Sequence, residues 1–324
     1  MSKFTLVLNN TNTIGNFNSQ FKYNFVGGGF SIPPNSEICV TQAVVPFSWF
    51  NCSQPVYSNA TFTYTWYYDS GLSRNYTVVF PPGNYTIVDF NYYLEQYFIS
   101  QNQYFTNAST GLNLYFISLI SNQTYYTNQF IFSPIPTSLP TGYSEPAAGF
   151  NYNNSTSYGY CSPGFSYTPR INIPSYTGIY GWGSLIGYLA GTYPSTLQTV
   201  SYNSLGNTTP NINPVSSVIM TCDLCKNDCT TPNNIIDSFS PGNTAFGYNI
   251  NYSSNFEKYV SLDAGCFSSL TISLLSPTFT QIVANDNNVM IQLTIKLGKF
   301  PVISYDKFKV NYVKKLFDAD EEKK

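Results

Sequence analysis

Histidine is absent from the 324 residues, so mechanisms built on an imidazole base, a Ser-His or Cys-His nucleophile pair, or a His-ligated metal are unavailable. Charge is scarce as well. Asp, Glu, Lys and Arg make up 9% of the chain, against about 25% in an ordinary soluble domain, so neutral polar groups must cover the surface. No apolar run approaches the roughly 18 residues a membrane-spanning helix needs. The formal charge of −2 and the lack of a basic stripe argue against nucleic-acid binding through a basic patch. No P-loop, G-x-G-x-x-G or G-x-S-x-G pattern occurs. Only five residues separate Lys3 from Asn9, too few for a signal-peptide core, which predicts synthesis in a cytosol.

What is abundant is the palette of strands and turns. The chain holds 36 Asn, 37 Ser, 31 Thr, 29 Tyr and 25 Phe, and β-rich aromatic residues combined with turn formers predict an all-β protein. With 43% hydrophobic residues, a chain of this length can bury roughly 75% of its unfolded surface. The charges are segregated. Residues 1–295 carry 6 Lys+Arg and 11 Asp+Glu, whereas residues 296–324 carry 8 and 5, so the last segment is a separate electrostatic object. Eleven Asn-X-Ser/Thr sequons occur, close to the number expected by chance in so Asn-rich a chain, and carry no argument for glycosylation.

Period-2 alternation is clearest near the two ends. Phe4, Leu6 and Leu8 alternate with polar or small neighbours, as do Phe21, Tyr23 and Phe25; Ile38–Val45 reads as a third strand. Thr61–Trp66 and Asn75–Phe80 read as a hairpin around Asp69-Ser-Gly71. Near the carboxy terminus, Leu270, Ile272 and Leu274 and then Val289, Ile291, Leu293, Ile295 and Leu297 mark two more strands with one buried face each. Gly27-Gly-Gly29 joins two strand-like runs and reads as a turn. Pro82-Gly83 suits a type II turn. Thr86 with Asp89 three residues later forms a capping-box pattern, and Ile87, Phe90, Leu94, Tyr97 and Phe98 fall on one face, predicting a helix over about 87–100 that covers one end of a sheet. From about 134 to 214 alternation is mostly lost and loops dominate, with an apolar helical turn in Tyr180–Ala190 and a short strand at Thr199–Tyr202.

Three of the seven cysteines, Cys222, Cys225 and Cys229, lie in one ten-residue stretch. C-x2-C is a turn spacing for thiolate ligands, but without histidine a zinc site would need Cys266 or Cys161 as its fourth ligand. Zinc, a disulfide within the cluster and free thiols are the alternatives, and the missing ligand favours free thiols. Glycoside hydrolysis needs only two carboxylates; the candidates Glu37, Glu95, Glu145 and Glu257 each read as exposed charges, so no enzyme is predicted. Tyr and Phe total more than one core requires, which places part of the surplus at interfaces between copies, where Tyr is enriched.

The order of several segments is similar to that in a known family. Ser31-Ile-Pro-Pro-Asn-Ser-Glu-Ile-Cys-Val-Thr-Gln-Ala-Val-Val-Pro-Phe-Ser-Trp-Phe-Asn51, Pro82-Gly-Asn-Tyr-Thr-Ile-Val-Asp-Phe-Asn-Tyr-Tyr-Leu94, Gly187-Tyr-Leu-Ala-Gly-Thr-Tyr-Pro194, Pro210-Asn-Ile-Asn-Pro-Val-Ser-Ser-Val218 and Asp286-Asn-Asn-Val-Met-Ile-Gln-Leu293 resemble, in that order, segments of the penton (minor capsid) proteins of virophages and Maverick/Polinton-type viruses. The resemblance covers about residues 3–297 and leaves out the Cys222–Cys229 cluster and the tail after Phe300. It implies a jelly-roll β-sandwich with a long loop-rich insertion containing one helix. It also implies a homopentamer at the five-fold vertices of an icosahedral virion, beside a neighbouring major capsid protein, assembled in the host-cell cytoplasm or viral factory without cofactor. A host-surface glycan is a further candidate partner, and another minor capsid or spike protein, or a glycan-binding adhesin, is the alternative reading. The expected division is a two-segment jelly roll at 1–68 plus 205–300, an inserted helix, hairpin and loop-rich region at 69–204, and a charged tail at 301–324. Within that tail, Phe308, Tyr312 and Leu316 are spaced for a short amphipathic helix that would dock on a neighbouring capsid protein.

Overall fold

Alternating sequences become strands here, and the early ones pair with the late ones. The structure, a computed structural model, describes residues 2–53, 57, 59–151, 159–176 and 181–299; the expected tail helix lies outside the described residues. Lys3–Leu8 pairs with Met290–Lys296, which pairs with Glu37–Pro46; that long strand also takes Asn249–Ser253 and Val260–Leu262, and Cys225–Lys226 closes the sheet. The opposing sheet runs Ile235–Phe239, Val218–Cys222, Ser269–Leu275, Gln20–Asn24, Thr13–Ile14. Every pairing is antiparallel. The chain is an all-β protein with a jelly-roll-like sandwich.

The inner faces follow the period. Leu6, Leu8, Ile291, Leu293 and Ile295 from one sheet and Phe21, Met220, Leu270, Ile272 and Leu274 from the other are buried in a single core, each contributing roughly 1.5–3 kcal/mol of transfer free energy. In Glu37–Pro46 the alternation breaks once. Ile38 and Val40 face inward, then Ala43 and Val45 do, and the partner register slips between Gln292 and Leu293. A bulge at Thr41, whose hydroxyl donates to the Gln292 carbonyl at 3.1 Å, absorbs the extra residue.

A second core begins where the first is left. Trp49 belongs to the sandwich, Cys52 already to the other cluster, and the chain returns to the sandwich at Val215. This second core is built mostly from rings. Phe62 stacks on Trp182 with centroids 4.1 Å apart, Tyr64 on Tyr76 at 5.1 Å and Phe105 on Phe150 at 4.3 Å, so much of the aromatic surplus is spent inside this one chain. Its strands include the hairpin Thr61–Asp69 with Leu72–Val79, joined by Arg170–Ile173 and Gly191–Tyr193. Thr61–Asp69, which the sequence division split between sandwich and insertion, buries Phe62, Tyr64 and Trp66 in this second core.

The helix forms over Ile87–Ser100 with the Thr86/Asp89 capping box, burying Ile87, Phe90, Leu94 and Phe98. Four strands between it and the loop-rich region were not anticipated: Tyr104–Asn107, Asn113–Tyr115, Ile117–Asn122 and Thr127–Phe132. The short strand expected at Thr199–Tyr202 lies at Tyr202–Leu205, where it pairs with Thr127–Phe132. The Gly27-Gly-Gly29 turn is as expected, with Gly27 and Gly28 both at positive φ (84° and 82°).

Candidate functional site

The two cores meet at one polar joint. Asn51 is 4% exposed, and both its amide donors and its amide oxygen are engaged. Nδ2 donates to the carbonyls of Tyr85 and Ile212, both at 2.8 Å, and Oδ1 accepts from the Tyr85 N–H at 2.8 Å. Its own carbonyl accepts from Asn59 Nδ2 at 2.9 Å. Asparagine suits this place because one planar amide offers both donors and acceptor. Beside it, Cys52 and Gly83 form an antiparallel bridge, Gly83 N–H donating to the Cys52 carbonyl at 2.9 Å and the Gly83 carbonyl accepting from Cys52 N–H at 3.1 Å. This corrects the type II turn: Gly83 is not at positive φ, because both its backbone groups are committed to the Cys52 bridge. On the sandwich side, Ser48 Oγ accepts from the N–H groups of Asn285 and Asp286 at 3.1 and 3.0 Å, next to a bridge between Trp49 and Ala284. A cleft of about 220 Å³ opens beside the joint between Ile87, Tyr126, Pro210 and Ile212.

The cysteines divide by burial. Cys222 and Cys225 are buried in the sandwich core, whereas Cys229 and Cys266 are exposed. A hydrogen bond from Cys222 together with burial pushes the Cys225 thiol well up. All seven are unbridged, and among the described residues no three of Cys, Asp and Glu gather as a metal-holding group.

The four carboxylates have separate surroundings. Lys296 Nζ donates to Glu37 at 3.0 Å; Lys3 Nζ at 3.0 Å and Tyr259 OH at 2.9 Å both donate to Glu257; Tyr160 OH donates to Glu145. Glu95 differs from the solvated charge expected of it. It is half-buried, its one hydrogen-bond partner among the described residues is Asn91 Nδ2 at 2.7 Å, and burial raises its carboxyl above the usual range, partly offset by that hydrogen bond.

Sequence reading missed Asn51. Nothing local distinguishes it from the other 35 asparagines; only its two long-range partners, Tyr85 and Ile212, do. The exposed surface also carries large apolar groups, with Val26, Val88, Leu112, Tyr126, Tyr248 and Phe256 each at least 70% exposed.

No protein-family model matches the chain, and no curated protein matches it. Among solved structures, the chain is similar to the mavirus penton protein. The two share 8% identity and a TM-score of 0.40 over 90% of this chain and 97% of that one. The chain is also similar to the structure of the Sputnik virophage, with 12% identity, a TM-score of 0.36, and 91% of this chain and 97% of that one covered.

Proposed function

We propose that this chain is a structural capsid protein, forming pentameric capsomers at the five-fold vertices of an icosahedral virion. The observation that carries the reading is where the five penton-like sequence segments fall. Ser48 of the first binds Asp286 of the fifth, Asn51 of the first binds Tyr85 of the second and Ile212 of the fourth, and Gly187 of the third packs against Pro210 of the fourth. The resembling residues are thus spent on holding the sandwich and the aromatic lobe in one orientation. A capsomer needs that rigidity, because a sandwich seated in a shell must present its outer lobe at a fixed angle. A surface of few charges with scattered large apolar groups fits burial between copies.

Native mass spectrometry and electron-microscopic class averages of the purified full-length chain test the proposal. Five-fold rings are expected. A chain that stays monomeric at every concentration and is absent from particles refutes it, while a trimer, or a monomer that binds a glycan array, favours the spike or adhesin reading.

A further inference from the structure

Glu95 sits in the middle of Ile87–Ser100, beyond reach of the capped amino-terminal turn. Asn91 Nδ2 donates to it, and Asn91 is held in place because its own Oδ1 accepts from Leu119 N–H at 2.8 Å. Phe98, one turn on, lies with its ring 6.2 Å from that of Tyr115. Tyr115 is paired with Tyr104 across the neighbouring hairpin, with ring centroids 6.4 Å apart. Tyr92, one turn before Glu95, is 61% exposed. Burial above all raises the pKa of the Tyr115 hydroxyl, the hydrogen bond it accepts from Asn113 Nδ2 at 3.1 Å offsets part of that rise, and Glu95, Tyr104 and Tyr92 add to it. Among the described residues no lysine or arginine is paired with Glu95.

An ionised carboxylate offers about four acceptor positions, and among the described residues Asn91 fills one of them. Partial burial strips the group of part of its hydration without supplying a cation. The group that best answers this deficit is itself charged, carries several donors and tolerates aromatic rings around it, which describes an ammonium better than a neutral hydroxyl.

We propose that Glu95, Tyr92, Tyr104 and Tyr115 form a receptor for a primary ammonium group, and that the group is a lysine side chain from the basic segment that follows Lys296 in a second copy of this chain. The source follows from the charge distribution: residues 1–295 carry 6 basic and 11 acidic groups, residues 296–324 carry 8 and 5. Within the folded body, Lys3, Lys258 and Lys296 are already held by Glu257, Asp237 and Glu37 of the same chain.

The test titrates the full-length protein with n-butylammonium chloride, with a synthetic peptide of residues 305–317, and with that peptide carrying glutamine at positions 307, 309, 314 and 315. The readout is the carbon-13 shift of the Glu95 carboxyl group. Both amines are expected to move it, the lysine peptide binding at least about fivefold more tightly than the glutamine peptide, with the difference shrinking at high salt. Glu95→Gln keeps an oxygen for the Asn91 bond. It should weaken the lysine peptide about fivefold or more while unfolding no more easily than the parent at pH 7, since it removes a partly desolvated charge. A merely structural Glu95 cannot give that pair of results. Equal binding of the peptide to parent and Glu95→Gln overturns the receptor, as does a neutral glycan that moves the Glu95 signal when amines do not. Equal binding of the lysine and glutamine peptides overturns the assignment to this chain's own tail.

Discussion

Asn51→Ala removes the side chain that anchors the crossing between the two cores to the aromatic one. It deletes three hydrogen bonds of 2.8 Å and strands two carbonyls and one N–H, of Tyr85 and Ile212. At a net worth of about 1 kcal/mol per bond, the loss is about 3 kcal/mol. Water entering beside the half-buried Tyr85 and Ile212 holds it near that figure rather than at the full cost of three orphaned groups. Asn51→Asp separates geometry from chemistry. Its carboxylate can still accept from Tyr85 N–H, but an oxygen then faces the two carbonyls that Nδ2 served, so it should cost at least as much. Urea unfolding followed by tryptophan fluorescence samples both cores, because Trp49 lies in the sandwich and Trp66 and Trp182 in the aromatic lobe. With an m-value of a few kcal/mol/M, the midpoint should fall by about 1 M. A loss below about 1 kcal/mol, or an aspartate variant as stable as the parent, would show that the joint does not depend on these bonds.

Two further outcomes follow from burial and close approach. In the native protein only the exposed Cys229 and Cys266 should react quickly with a thiol reagent at pH 8, and all seven after denaturation, since burial pushes the Cys52 thiol up to about 12 and raises Cys161 and Cys39 as well; protection of Cys229 that a chelator reverses would point instead to a zinc-bound cluster. Gly298→Ala would place a methyl group 1.9 Å from the Pro34 carbonyl oxygen and break the 3.0 Å bond from Gly298 N–H to Ser36 Oγ. It should destabilise by about 1–3 kcal/mol in thermal unfolding, and an unchanged transition would contradict the tight packing after the last strand.

The end strands were legible because a sandwich strand with one wet face must alternate, and Leu6, Ile272 and Leu293 do so against Thr5, Thr271 and Thr294. The helix was legible for a similar reason, since its cap chemistry lies within four residues, Thr86 to Asp89. Ile117, Leu119, Phe130 and Phe132 also alternate and bury in the second core; that signal was present in the sequence but lay in a region without strong turn markers. Other features left no local trace. The Thr41 bulge exists only because Met290–Lys296 must keep Ile291 and Leu293 inward opposite it. Gly83 departs from a turn only because Cys52 lies across from it.

By itself the sequence determined that the chain is β-rich, that its two ends build one sandwich, that a capped helix follows the hairpin, and that no imidazole chemistry is available. All of these depend on residue type and short-range period. The tertiary structure decided that there are two cores rather than one, that most of the extra rings fill the second, and that Asn51 anchors the crossing between them. It also separated Glu95 from the other carboxylates. Burial and partnership are properties of residues brought together across tens to hundreds of positions, and an asparagine or glutamate reads the same in sequence whether it faces water or closes a joint.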